Sequence, residues 1–138
     1  MSDVNFISRT NEVKSALERA IENALESIGM VGETHAKNEL TAFPHVDTGR
    51  LRNSIAHASN HKDEAYIGTN VEYGVWVEIG TGIYATDGNG RKTPWFFEDD
   101  KGKWHITHGI KPAHYLEKAI SEHDDEYKAI VEECLKNA

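Results

Sequence analysis

The strongest constraint in this chain is a long helical period near its start. From about Asn11 to Phe43 the apolar residues Val13, Leu17, Ala20, Ile21, Ala24, Ile28, Val31 and Leu40 recur at helical spacing. Glu18, Glu22 and Glu26 occupy much of the opposite face, so the segment reads as one amphipathic helix. Gly29 and Gly32 each cost such a helix roughly 1 kcal/mol relative to alanine, which predicts a kink in its middle. Phe43-Pro44 predicts its end, because the residue before proline disfavours the helical region.

Beyond Val46 the pattern shortens. Asp47 is expected as an N-cap, with Thr48-Gly49-Arg50-Leu51-Arg52 as a single helical turn. Ile55 to Ser59 and Ala65 to Thr69 flank the polar turn Asn60-His61-Lys62-Asp63, which predicts a β-hairpin. Val71 to Ile79 predicts a short helix with Tyr73, Val77 and Trp76 toward one side, stopped by Gly80-Thr81-Gly82. Ile83 to Lys92, marked by Asp87-Gly88-Asn89-Gly90, reads as a mobile or contact-making loop. Pro94 to Phe97 and Lys103 to Thr107 predict a second hairpin around Asp99-Asp100-Lys101-Gly102.

Pro112 is expected in the first turn of a C-terminal helix. Its apolar stripe comprises Leu116, Ala119, Ile120, Tyr127, Ile130, Val131, Cys134 and Leu135. The expected fold is α+β: a long N-terminal helix, a small antiparallel sheet of hairpins with a short inserted helix, and a C-terminal helix. A length of 138 residues fits a single domain, with residues 1–10 expected to be flexible.

Charge narrows the function classes. The net charge is −8, and the acidic excess lies at both ends. Residues 1–43 carry four Lys/Arg against seven Asp/Glu, residues 113–138 three against seven, and the middle eight against nine. An acidic surface repels phosphates, which argues against sequence-specific nucleic-acid binding. No apolar run is long enough to span a bilayer, and no secretory signal opens the chain, so a cytoplasmic, membrane-free protein is expected. Cys134 is the single cysteine, which excludes an internal disulfide and a thiolate-rich zinc site.

Several residues invite catalytic readings. Asp47-Thr48-Gly49 is the active-site triplet of aspartic proteases, and one triplet per short chain would require a dimeric enzyme. A helix before it and Arg50-Leu51-Arg52 after it replace the strands such a protease needs, so a cap and turn is the better reading. The eight histidines suggest a metal enzyme. However, His105 and His108 would point to opposite faces of a strand, and His57 and His61 bracket a turn. Gly88-Asn89-Gly90-Arg91-Lys92-Thr93 lacks the spacing of a phosphate-binding loop. Cys134, with no basic neighbour, reads as packing. Trp76, Trp95 and Trp104 are core candidates, and aromatics near a glycine-rich loop can also anchor interfaces. Trp76, Ile83, Tyr84 and Trp95 are therefore the interface candidates. No catalytic set, metal site or cofactor site is assigned.

Three blocks carry a resemblance. The first is Asp47-Thr48-Gly49-Arg50-Leu51-Arg52-Asn53-Ser54-Ile55 after a long helix. The second runs from Gly68 to Thr81, with Tyr73, Val77, Glu78, Gly80 and Thr81 as its skeleton. The third runs from Gly109 to Ala119 and includes Pro112, Tyr115 and Leu116. Together they resemble the minor tail-component family of long-tailed, lambda-like bacteriophages, whose members act in head–tail joining or tail completion. Gly74 stands where alanine is usual in that family, Trp76 where another aromatic is usual, and Ile79 and Tyr115 where phenylalanine is common.

The resemblance implies a non-enzymatic virion protein, assembled in the host cytoplasm, forming a homo-oligomeric ring with phage neck and tail proteins. It also implies that DNA passes through the assembly. The physical reading is compatible: exposed hairpin edges and a long amphipathic helix can be completed by a neighbouring subunit, and acidic walls would not trap DNA. The alternative is a hydrolase, either a dimeric aspartic protease using Asp47 or a histidine-based metal enzyme.

Overall fold

The computed structural model describes residues 3–43, 49–99 and 101–138, with side chains from residue 9 onward. Helix α1 spans Asp3–Thr41, 39 residues, or about 58 Å at the usual helical rise. A short helix α2 (Gly49–Ser54) leads to strands β1 (Ala56–Ser59) and β2 (Ala65–Gly68). Helix α3 (Gly74–Ile79) and a 3-10 turn (Gly82–Tyr84) precede β3 (Trp95–Glu98) and β4 (Trp104–Thr107). Helices α4 (Tyr115–Ser121) and α5 (Asp124–Lys136) complete the order, giving the expected α+β class.

Local chemistry explains each turn. The Asn60 side-chain oxygen accepts the backbone N–H groups of Lys62, Asp63 and Glu64, which folds the chain between β1 and β2. Asp99 does the same between β3 and β4, accepting Lys101 N–H at 2.9 Å and Lys103 N–H at 2.8 Å. The two hairpins do not join. Each forms its own two-stranded antiparallel sheet.

Helix α1 is the spine, packing against α2, β1, β2, α4 and α5. Its glycines serve close approach. It runs unbroken past Gly29 and Gly32. A Cβ on Gly29 would lie 2.8 Å from His57 Cδ2, and one on Gly32 would lie 3.3 Å from Ile67 Cγ2. The helix accepts the propensity cost of two glycines because the first hairpin lies against them. His57 fastens that contact: its Nε2 lies 2.8 Å from Glu26 Oε1 and its Nδ1 3.3 Å from Glu33 Oε1. Carboxylates only accept, so the doubly protonated imidazolium alone satisfies both, and the Glu26 bond above all raises the His57 pKa.

The core gathers at the C-terminal half of α1, where Ala36 and Leu40 meet Leu51, Ile55, Val71, Val77, Ala113, Tyr115 and Ala119. The N-terminal half of the stripe behaves differently from the expectation. Ala20 and Ala24 are buried, but Val13, Leu17 and Ile21 are exposed, because the end of α5 lies beside Ala16, Ala20 and Asn23 and leaves the neighbouring face open. The C-terminal helix also departs from the expectation. Pro112 precedes α4 by three positions, and His114 between them takes a left-handed φ of 51°. The helix then breaks at Glu122 and His123 before α5 begins.

Candidate functional site

Described residues of the second and third sequence blocks meet at one joint. The backbone after α3 pairs with the segment leading into α4: Thr81 N–H donates to Ile110 O at 2.9 Å, and Ile110 N–H returns a bond to Thr81 Oγ1 at 2.9 Å. Ala113 N–H then donates to Val77 O at 2.8 Å, and His114 N–H to Glu78 O at 3.2 Å. Gly80 makes this crossing feasible. Its φ is +82°, and a Cβ there would lie 2.9 Å from both Ile110 O and Pro112 Cδ.

Glu78 caps the next helix from a distance in sequence. Leu116 N–H donates to its Oε2 and Glu117 N–H to its Oε1, each at 2.9 Å. His114, the residue before α4, makes no side-chain cap, so the carboxylate supplies what the helix start lacks. Tyr115 is fully buried beside it and donates its hydroxyl to Gly74 O at 2.9 Å. Burial, with the Glu78 charge second, pushes the Tyr115 pKa up to about 12.

Leu51, Ile55 and Val77 are buried in the same core, with Tyr73 and Leu116 packed at its edge. Ser54 Oγ donates to Leu51 O at 2.6 Å and bonds Thr69 Oγ1. Gly49 opens α2, while Asp47 and Thr48 lie outside the described residues, and the cap expected there with them. The joint orders backbone and packs side chains; its polar atoms are engaged in holding helices.

The interface candidates lie outside this joint. Trp76 is 54% exposed, so it faces away from the side that Val77 buries, contrary to a place in the core. Ile83 and Tyr84 are exposed too, with Lys111 Nζ 5.9 Å from the Tyr84 ring. Trp95 is half-buried, with the Arg91 guanidinium 5.6 Å from its ring. The glycine-rich loop is tied back by Thr86, whose N–H donates to Ile79 O at 2.9 Å.

The second hairpin departs furthest from expectation. Its register pairs Phe96 with Ile106 and Glu98 with Trp104, which places Phe96, Trp104 and Ile106 on one face. They are 70%, 64% and 60% exposed, so Trp104 is a surface residue and not part of the core. The reverse face is better covered. There His105 stacks on Phe97 with ring centroids 5.2 Å apart and bonds Asp99 Oδ2 at 2.8 Å. That bond, followed by the Lys103 N–H, holds the Asp99 carboxyl below the usual carboxylate range. The aromatic run 95–97 is readable as a strand, but nothing in its local pattern says which face the protein leaves open.

The histidines are also distributed differently from their sequence neighbours. His105 and His57 pair with carboxylates, and His108 is exposed. His35 meets Glu126 across 91 positions, and His123 stacks on His35. No spacing rule could have joined them.

The fold is that of a small α+β protein with uncovered apolar faces. Residues 5–80 match the family described as "Bacteriophage HK97-gp10, putative tail-component". The match spans more than half of the chain, from α1 to the end of α3, and the chain belongs to this family of phage tail components. No curated protein and no solved structure matches it. No helix among the described residues is long and apolar enough to cross a membrane.

Proposed function

We propose that the chain is a structural protein of the virion neck that completes the tail or joins it to the head through contacts with its own copies and with neighbouring neck and tail proteins. The observation that carries this reading is the open face of Phe96, Trp104 and Ile106 on a chain of a phage tail-component family. Burying each such side chain against a partner is worth about 1.5–3 kcal/mol, enough to hold a contact if the patch is covered.

The stripe of Val13, Leu17 and Ile21 on α1 is a second open apolar surface of different shape. Two unlike patches on one chain suit a head-to-tail contact, and such contacts close into rings when the rotation permits. DNA then passes through the ring, and the acidic excess keeps the wall from binding it. The assembled location is the virion, reached from the host cytoplasm, and the role requires no catalysis.

The test is complementation of a phage lacking this gene with the double substitution Phe96→Ser and Ile106→Ser. Both positions are exposed, so the isolated variant should lose no more than about 1 kcal/mol, the worth of one cross-strand pair. Lysates should then contain DNA-filled heads and separate tails under the electron microscope. Normal plaque yield from a well-expressed variant would sink the reading.

A further inference from the structure

His123 stands at the N-cap of helix α5 and Glu126 lies in its first turn, and both lie against His35 in the C-terminal part of α1. One nitrogen from each ring and one oxygen of the carboxylate all fall within 4.8 Å of one another. His35 Nε2 and Glu126 Oε1 are 3.2 Å apart. A tetrahedral zinc with bonds of about 2.0–2.1 Å places its ligand atoms about 3.3 Å apart, so this pair already has ligand spacing.

The two imidazoles are already in contact, although their stacked rings direct the lone pairs side by side. The His35 and His123 rings lie 3.4 Å apart, centroid to centroid, and only 4° from parallel. Aromatic rings favour offset or edge-on pairs with centroids about 4.5–7 Å apart over this face-to-face arrangement. Tyr127 shows the ordinary preference nearby, standing edge-on to His35 at 6.5 Å. The His35–Glu126 hydrogen bond accounts for two members of the cluster and leaves the position of the His123 ring without a bond of its own.

We propose that His35, His123 and Glu126 bind a divalent transition-metal ion, zinc by preference, that fastens α5 to α1. Two imidazoles and a carboxylate form a donor set that zinc accepts, with the fourth position left for a water. Asp124 and Asp125 in the same first turn add negative potential that draws a cation. The rings are half-buried, and the carboxylate is 47% exposed, so an ion can enter without unfolding the helix pair. Binding therefore requires the His123 ring to turn out of the stack so that both nitrogen lone pairs meet the ion. The ion thus bridges the central helix and the one that follows the break at Glu122. This clamp is independent of the role proposed at the neck.

The test uses the full chain without a histidine tag, titrated calorimetrically with zinc chloride. One ion per chain should bind, with a higher melting temperature and moved His35 and His123 ring signals in the NMR spectrum. Since loss of a residue that merely supports a ligand weakens metal affinity about 10–100-fold, His35→Asn and His123→Asn should each weaken it at least tenfold. Glu126→Gln should also weaken it while keeping a hydrogen-bonding side chain beside His35. Cobalt(II) should give the intense visible bands of a tetrahedral site, which covers the case of a poorly folded variant. Binding that survives all three substitutions, or no binding and no visible bands in the parent chain, overturns the proposal.

Discussion

Gly74→Ala and Tyr115→Phe, made singly and together, test how the joint between α3 and α4 is packed. In the tail-component pattern that the chain resembles, alanine and phenylalanine are usual at these positions. A Cβ at position 74 would lie 3.0 Å from the Tyr115 hydroxyl, 3.1 Å from Leu51 Cδ1 and 2.6 Å from Thr69 Cγ2. Thr69 is not free to swing aside, because its hydroxyl bonds Ser54 and accepts Val71 N–H at 3.0 Å.

Alanine gains about 0.5–1 kcal/mol over glycine in a helix, whereas overpacking costs about 1–3 kcal/mol, so Gly74→Ala should destabilise by about 1–2 kcal/mol. Tyr115→Phe removes the 2.9 Å bond to Gly74 O and should cost about 1 kcal/mol. The double variant loses the phenol that an alanine Cβ would crowd. Its loss should therefore be smaller than the sum of the single losses by about 0.5–1 kcal/mol, as expected of residues in contact. Urea unfolding followed by far-ultraviolet circular dichroism measures all four corners of the cycle. Additivity within about 0.3 kcal/mol, or a stabilised Gly74→Ala protein, would refute the idea that the hydroxyl and the missing methyl share one space.

Two further outcomes follow from polar contacts. His57 is raised in the folded state above its ordinary value of 6.5 by Glu26 and Glu33, so its contribution is complete below that value and disappears as pH rises through the folded pKa. The melting-temperature gap between the parent and His57→Gln should accordingly be wider near about pH 5.5 than near about pH 8.5, and an equal gap would count against the ion pairs. Glu78→Ala strips both cap bonds from α4 and should cost about 1–2 kcal/mol, while Glu78→Gln retains one oxygen and should cost less. Equal melting of all three proteins would mean that α4 needs no cap.

Much of this fold is legible locally. The spacing from Val13 to Leu40 specifies α1, and the Asn60 and Asp99 turns specify the hairpins, because each signal lies within a few residues of its effect. The joint was legible only as a pattern: Tyr73 to Thr81 and Gly109 to Leu116 carry it, but nothing local says that Glu78 caps a helix 38 positions later. The break between α4 and α5 contains neither glycine nor proline. Its available signal is Asp124-Asp125-Glu126, acidic residues suited to the positive end of a new helix.

Amphipathic patterns also name a face without naming its partner. Val13 and Leu17 follow the same period as Ala20 and Ala24 and yet remain open, because α5 takes up the face of Ala16 and Ala20 beside them. The same limit applies to Phe96 and Ile106. His35, His123 and Glu126 were beyond reach for a different reason, since only the packing of α5 on α1 brings them together.

A cryo-electron-microscopy reconstruction of the phage virion tests most directly where the chain sits in the particle. A ring of this protein should lie between head and tail, with Phe96, Trp104 and Ile106 buried against a neighbour. Its absence from the virion, a position elsewhere in the particle, or those three side chains still facing solvent would contradict the proposed role at the neck.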